Sequence, residues 1–229
     1  MHDMYREFFF NMTQESILMN LANGVATLTL NRPEVFNSFN KEMAFNLQAK
    51  LDECATNDEV RAIVLTGAGR AFCAGQDLNE VTSTKMNPGF KAILEEHYNP
   101  IITRIRNIKK PVVALLNGVA AGAGANIALA CDVVIATEHV SFIQAFSKIG
   151  LVPDSAGTFF LPRLIGFQRA SALMMLGDKV SAKEALDMGM LYKIVEADEL
   201  MTEGMKTALT LAQMPTKALG MIKDLLNAS

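Results

Sequence analysis

The sequence predicts an α/β fold. Short apolar runs of strand length alternate with amphipathic helical stretches, glycine-rich turns follow two of the strands, and no Pro/Ser-rich linker interrupts the 229 residues. The units are similar in kind (apolar strand, glycine-rich turn, helix), which points to a repeated ββα coil. They keep no fixed period, so a solenoid is not inferred. Residues 1–195 read as the core and 196–229 as a C-terminal helical region.

Each element has its own signal. Ser16–Leu21 and Val25–Leu30 are rich in β-formers and flank Asn23-Gly24, the dipeptide of a tight hairpin. Asn31-Arg-Pro breaks the ladder. Phe39 to Cys54 places Met43, Leu47, Leu51 and Cys54 on one helical stripe. Arg61–Thr66 and Pro111–Leu116 read as buried strands, with a helix from about Phe90 to Arg106 between them. Helical Gly124–Cys131 leads into the strand Val133–Ala136. Short helical patterns fill Thr158–Gly189, Leu191–Val195 is a last strand, and the chain is helical from Leu200.

Composition narrows the function classes. Half the residues are hydrophobic and a fifth charged, enough apolar content for a real core and too little charge for disorder. A net charge of −3 disfavours a nucleic-acid footprint. Cys54, Cys73 and Cys131 are too scattered for a disulfide framework, and with only His2, His97 and His139 no Cys/His pair has zinc spacing. The expectation is a reduced interior with no metal and no cofactor. Met1–Met12, including Phe8-Phe9-Phe10, lacks a signal-peptide run. Pro111–Cys131 is free of charge and contains Gly118-x-x-x-Gly122, but its asparagines and glycines suit a membrane span poorly. A soluble cytoplasmic protein without membrane or nucleic-acid partners is expected.

Chemistry concentrates at two turns, Gly69–Leu78 and Asn117–Asn126. Small residues let a ligand approach the backbone, and the second turn opens a helix whose amides carry the favourable end of its dipole. Two amides converging on one oxygen would form an oxyanion hole, whose loss costs ~10²–10³ in rate. Such turns are also common packing devices, and both readings stay open. A dinucleotide fingerprint fails at Ile127, no Gly-Lys-Ser/Thr follows either turn, and no Gly-x-Ser-x-Gly is present. Asp154, in Gly150-Leu-Val-Pro-Asp-Ser-Ala-Gly157, lies among apolar residues that would raise its proton affinity toward a general base's range. It could equally cap a helix starting near Ser155. Cys73 and Cys131 read as core residues, as do Met43, Met174, Met175, Met188 and Met190. Asp52, Glu53, Asp58 and Glu59 read as a solvated helix end.

Taken together, Leu30-Asn-Arg-Pro33, Asn37-Ser-Phe39, Leu65-Thr-Gly67, Ala71–Leu78, Lys110-Pro111 and Asn117–Gly124 resemble the crotonase family, the enoyl-CoA hydratase/isomerase superfamily. So do Ala130-Cys-Asp132, Phe142, Gly150–Pro153, Ala156–Thr158, Leu161-Pro162 and Ser181-Ala182, in order over residues 16 to 195. The resemblance implies a spiral of ββα turns, acyl-CoA thioester substrates, and a homotrimer or dimer of trimers. It places the oxyanion-hole amides at Gln76 and Ala123. CoA contacts fall near Val35, Phe36, Ser38, Ala74, Asp77, Leu78 and Gly122.

Departures from the family pattern bear on the reaction. The two glutamates of the hydratases align with Asn126 and Phe146, so a standard hydratase is not expected. Asp154 matches the aspartate of isomerase-type and dehalogenase-type members. The run Ala145–Asp154 is most similar to the branch that isomerises ring-epoxidised phenylacetyl-CoA to its oxepin and moves a 3,4 double bond to 2,3. The expected activity is CoA-thioester isomerisation, without metal or redox cofactor. Alternatives are an enoyl-CoA hydratase, a dehalogenase, a thioester hydrolase, or a non-catalytic acyl-CoA-binding subunit. Family members usually continue for a few tens of residues beyond this chain's end, and the acyl pocket is expected to draw on Thr82–Lys91.

Overall fold

The structure is a computed structural model that describes residues 15–83 and 86–229. The expectations for Met1–Met12 and His2, and part of that for the loop Thr82–Lys91, lie outside the described residues. β1 (Ile17–Ala22) and β2 (Val25–Leu30) form an antiparallel hairpin. Asn23 and Gly24 turn it with φ of 53° and 79°, as a two-residue turn of the primed type requires. α1 (Lys41–Thr56) starts two residues later than its apolar stripe suggests, because Asn40 caps it by accepting from the Met43 amide at 2.9 Å. Phe39 instead forms a parallel bridge with Gln76.

The remaining elements come in chain order. β3 (Ala62–Gly67), β4 (Ala71–Cys73) and α2 (Leu78–Thr82) precede a long helix. That helix begins as α3 (Phe90–Ala92), passes through π-helical residues Ile93–Tyr98, and ends as α4 (Asn99–Asn107). β5 (Val112–Leu116), β6 (Val119–Ala121), α5 (Ala123–Leu129), β7 (Val133–Thr137) and β8 (Ser141–Ile143) follow. Then come α6 (Gly157–Ile165), α7 (Phe167–Leu176), β9 (Lys179–Ser181), α8 (Ala182–Met188) and β10 (Lys193–Val195). α9 (Leu200–Gln213) and α10 (Thr216–Ala228) complete the described chain.

Among the described residues the strands form two sheets, ordered β1-β2-β3-β5-β7-β10 and β4-β6-β8-β9. The pairs β3/β4, β5/β6 and β7/β8 each give one strand to either sheet, which is the repeated ββα coil expected from the sequence. β3 and β5 are parallel neighbours covered on both faces, and so read as unbroken apolar runs. Alternate residues separate the two faces. Ile63, Leu65, Ala114 and Leu116 join the core with Met43, Leu47 and Leu51 of α1. Val64, Val113 and Leu115 meet Leu200, Ala208 and Ala212 of α9.

The four short strands of the second sheet escape pattern reading. β4 and β6 lie inside the two glycine-rich stretches, so those stretches are strands as well as turns. Three-residue runs are too short to show an apolar period, and their hydrogen-bonding partners come from distant sequence: Ala71 faces Val119, and Ala120 faces Phe142. α10 is fixed by the buried Lys223, whose Nζ donates to Asp132 Oδ2 at 2.7 Å. Among the described residues no helix is long and apolar enough to cross a membrane.

Candidate active site

Three backbone segments meet where the sheets end. In the first, Arg32–Phe39, Phe36 and Asn37 adopt φ of 55° and 56°, and Asn37 earns its left-handed place by side-chain hydrogen bonds. Its Nδ2 donates to the carbonyls of Ala68 and Ala71 at 2.9 and 2.8 Å, while its Oδ1 accepts from the Arg32 amide. Asn117 Nδ2 donates to the Gly69 carbonyl at 2.8 Å, so two asparagines hold the entry to β4.

The second segment, Ala74–Leu78, zips onto the first. The Ala74 amide donates to Phe36 O at 3.0 Å, the Phe39 amide to Gly75 O at 2.7 Å, and the Asp77 amide to Phe39 O at 2.8 Å. Buried Asp77 accepts from Arg32 at 2.9 Å and from the Asn79 amide at 3.0 Å, so one carboxylate ties the segments and caps α2. Arg32 also donates to Ser38 O at 2.6 Å, and the Ser38 hydroxyl donates to Val35 O. Phe36 stays exposed with Arg70 stacked 4.4 Å over its ring, and Ala74 and Leu78 are exposed beside it.

The third segment is Gly122–Ala123, where α5 begins. Parallel pairing of β4 with β6 brings it beside the second. A Cβ on Gly75 would lie 2.9 Å from Ala121 O and 3.6 Å from the Ala123 nitrogen, so the peptide leading to Gln76 and the first amide of α5 are neighbours. Gly122 has φ of 52°, and a Cβ there would meet Phe146. As the first residue of its helix, Ala123 has no intrahelical acceptor for its N–H. Among the described residues the Gln76 amide likewise donates to no backbone carbonyl.

Asp154 stands on the loop between β8 and α6, mostly buried, with burial raising its carboxyl from 3.8 to about 6. The Ser155 hydroxyl donates to its Oδ1 at 2.9 Å and partly opposes that rise. The helix-cap alternative is not realised. Ser155 and Ala156 have φ of 49° and 56°, α6 starts at Gly157, and no side chain caps it. The main-chain oxygen of Asp154 accepts from Asn126 Nδ2 and from the Gly157 amide, both at 2.8 Å. Asn126 Oδ1 in turn accepts from Gln144 Nε2 at 2.8 Å. Asn126 is therefore fully buried scaffolding of the Asp154 loop, and Phe146 packs over Gly122.

The candidate CoA-contacting residues thus gather on the first two segments and at Gly122, the amides of Gln76 and Ala123 lie beside them, and Asp154 is hung from α5. An apolar groove of about 380 Å³ opens on the other flank of the Asp154 loop, lined by Leu151, Val152, Pro153, Thr158 and Met174 among others. Its lining includes neither Asp154 nor the two amides. Met175 is a correction to the expected core: it is exposed and lines this groove, whereas Met43 and Met190 are buried. Asp52 is also more than a solvated acid, since both its oxygens accept from Arg104 at 2.8 and 2.9 Å and join α1 to α4. Burial pushes the Cys73 and Cys131 thiols up to about 12, consistent with core roles. Sequence reasoning passed over Arg32, Asn37, Glu80 and Tyr98 as functional neighbours. Arg32 and Asn37 lay within quoted motifs, but the Arg32–Asp77, Lys41–Glu80 and Gln76–Tyr98 contacts span 22 to 45 residues and leave no local signal.

Known proteins of one family share this fold and much of this sequence. A family model described as enoyl-CoA hydratase/isomerase matches residues 20–229. The chain is 46% identical over 217 residues to 1,2-epoxyphenylacetyl-CoA isomerase of Escherichia coli (strain K12), covering 94% of this chain and 83% of that protein. It is 40% identical over 191 residues to trans-2-decenoyl-acyl-carrier-protein isomerase of Streptococcus mutans serotype c, covering 82% and 73%. Among solved structures, an enoyl-CoA hydratase from Mycobacterium avium subsp. paratuberculosis K-10 matches with a TM-score of 0.86 at 34% identity, covering 94% of this chain and 85% of that one.

Proposed function

Because the chain belongs to the enoyl-CoA hydratase/isomerase family, we propose that it isomerises acyl-CoA thioesters with Asp154 as its single general base. The observation that carries this reading is the Asp154 carboxyl, raised by burial to about 6 and free of any cationic partner among the described residues, on a loop hung from the helix that begins with Ala123. Asn126 and Phe146, where the family resemblance puts the hydratase glutamates, cannot activate water. Asn126 holds the Asp154 carbonyl, and Phe146 packs over Gly122.

In the proposed reaction the thioester oxygen accepts from the Gln76 and Ala123 amides. Asp154 removes a proton from the carbon next to the carbonyl, and the C–H electrons enter the carbonyl π system. The resulting enolate is stabilised by two donors that need no reorganisation. For a 3-enoyl-CoA the double bond then moves to the 2,3 position as Asp154 returns the proton to C4. For a ring-epoxidised phenylacetyl-CoA, the C–C bond shared by the epoxide and the six-membered ring breaks to give the seven-membered oxepin, and the proton taken from the carbon next to the carbonyl returns to a ring carbon as the double bonds shift. Both are proton shuttles through one carboxylate, need no metal or redox cofactor, and leave the base regenerated. Val35, Phe36, Ser38, Ala74, Asp77, Leu78 and Gly122 are proposed to carry the CoA moiety.

Incubation with a 3-enoyl-CoA tests the reading. Growth of the conjugated enoyl-thioester absorbance supports isomerisation. Rapid loss of that absorbance from added 2-enoyl-CoA would instead identify a hydratase.

A further inference from the structure

Gln76 is gripped at both ends of its side chain. Its Oε1 accepts from the Tyr98 hydroxyl at 2.8 Å, and its Nε2 donates to Glu80 Oε2 at 2.7 Å. Glu80 is itself fixed, since its Oε1 accepts from the Lys41 amide at the start of α1 at 2.8 Å. Tyr98 is 1% exposed and meets Phe39 edge-on, with ring centroids 6.0 Å apart. Phe39 is the residue whose backbone pairs with Gly75 and Asp77 on either side of Gln76. Tyr98 also ends the π-helical stretch, where the Asn99 amide donates to Leu94 O, five residues back. Such wide turns have poorer geometry than α-helix and occur often at functional sites.

An amide donor needs only its backbone, so a clamp on the side chain calls for its own explanation. We infer that Tyr98 and Glu80 are positioning residues that fix the Gln76 peptide, and with it the direction of its N–H, by holding the Gln76 side chain. This inference rests on the reading of Gln76 as an oxyanion donor. Both are buried, so on this reading they act through Gln76 and not on the substrate. The hydroxyl is suited to the task because burial raises the Tyr98 pKa well above 10 and keeps it a donor.

The test is optical. A carbonyl polarised by hydrogen bonds absorbs at longer wavelength when conjugated, so 2,4-hexadienoyl-CoA should show a red shift on binding the wild-type protein. Tyr98→Phe and Gln76→Met are expected to lose about half of that shift and about tenfold in kcat, with KM changed less than about twofold. Tyr98→Phe should add nothing in the Gln76→Met background, since both break the same clamp. Glu80→Met provides a third break that decides the matter should Tyr98→Phe fail to fold, because it removes the acceptor of Gln76 Nε2. A full red shift in folded Tyr98→Phe, Gln76→Met or Glu80→Met overturns the clamp. Calorimetric binding to wild type with no red shift overturns the oxyanion reading of Gln76 and Ala123, and the clamp with it.

Discussion

The side-chain amide of Asn126 holds the main-chain oxygen of Asp154 at 2.8 Å, so α5 carries both the Ala123 amide and the anchor of the candidate base. The contact leaves no spare room: a Cβ on Gly157 would lie 2.4 Å from Asn126 Nδ2. It also stabilises a loop in which two successive non-glycine residues, Ser155 and Ala156, adopt left-handed φ at a cost of ~1 kcal/mol or more each.

Asn126→Ala should therefore damage geometry more than affinity. It strands buried Gln144 Nε2 and leaves the Asp154 carbonyl with the Gly157 amide alone, costing about 2 kcal/mol in stability. We expect kcat to fall roughly 10–100-fold with KM little changed. Steady-state kinetics with a 3-enoyl-CoA and a denaturant midpoint check this. A kcat within twofold of wild type would show that the loop holds its position without Asn126.

The pH profile follows from Asp154. The base acts only when ionised, so kcat/KM should drop about tenfold per unit below about pH 6 and level off above it. The stability effect has the opposite sense. A carboxyl at about 6 in the fold and 3.8 in the free chain binds its proton more tightly when folded, so stability is lost as pH rises through that interval. Asp154→Asn should then be more stable than wild type at pH 8, by on the order of 2 kcal/mol, with the gain vanishing below about pH 4. Thermal melts at several pH values read this directly, and an unchanged difference across the range would contradict it.

Gly124→Ala tests the contact between the two glycine-rich stretches. Its Cβ would meet Cys73 O at 2.5 Å and Cys73 Sγ at 2.7 Å, forcing β4 and α5 apart. A loss of about 3 kcal/mol is expected, together with a fall in kcat larger than that from Asn126→Ala. Chemical denaturation and kinetics measure both. A wild-type stability would mean that the two stretches are not in contact.

Asp77→Asn tests the tie between the first two segments. Removing one partner of the mostly buried Arg32–Asp77 pair should cost about 2–3 kcal/mol and raise KM for acyl-CoA several-fold. A matched loss of kcat with unchanged KM would move Asp77 away from CoA binding.

The sequence made the large sheet readable because β3 and β5, buried on both faces, must be continuously apolar, and because Asn23-Gly24 marks its own turn. It did not reveal β4, β6, β8 and β9, whose three-residue runs are defined by partners far along the chain. Asp154 stood out because an acid among Leu151, Val152 and Phe159 is rare. Its alternative as a helix cap failed only because Ser155 and Ala156 turn left-handed before α6 begins. Tyr98 looked like an ordinary residue of the Phe90–Arg106 helix, and Glu80 followed the Gly69–Leu78 turn without a signal of its own. Glu80 reaches Gln76 locally, four residues on, whereas Tyr98 meets it only through the tertiary fold, 22 residues away.

The most direct measurement is deuterium exchange at the carbon next to the thioester carbonyl, followed by NMR in heavy water for wild type and Asp154→Asn. Wild type should exchange this position in a bound 3-enoyl-CoA, while Asp154→Asn slows exchange by ~10²–10⁴-fold and still binds the ester. Exchange at the wild-type rate in folded Asp154→Asn would show that another group moves the proton.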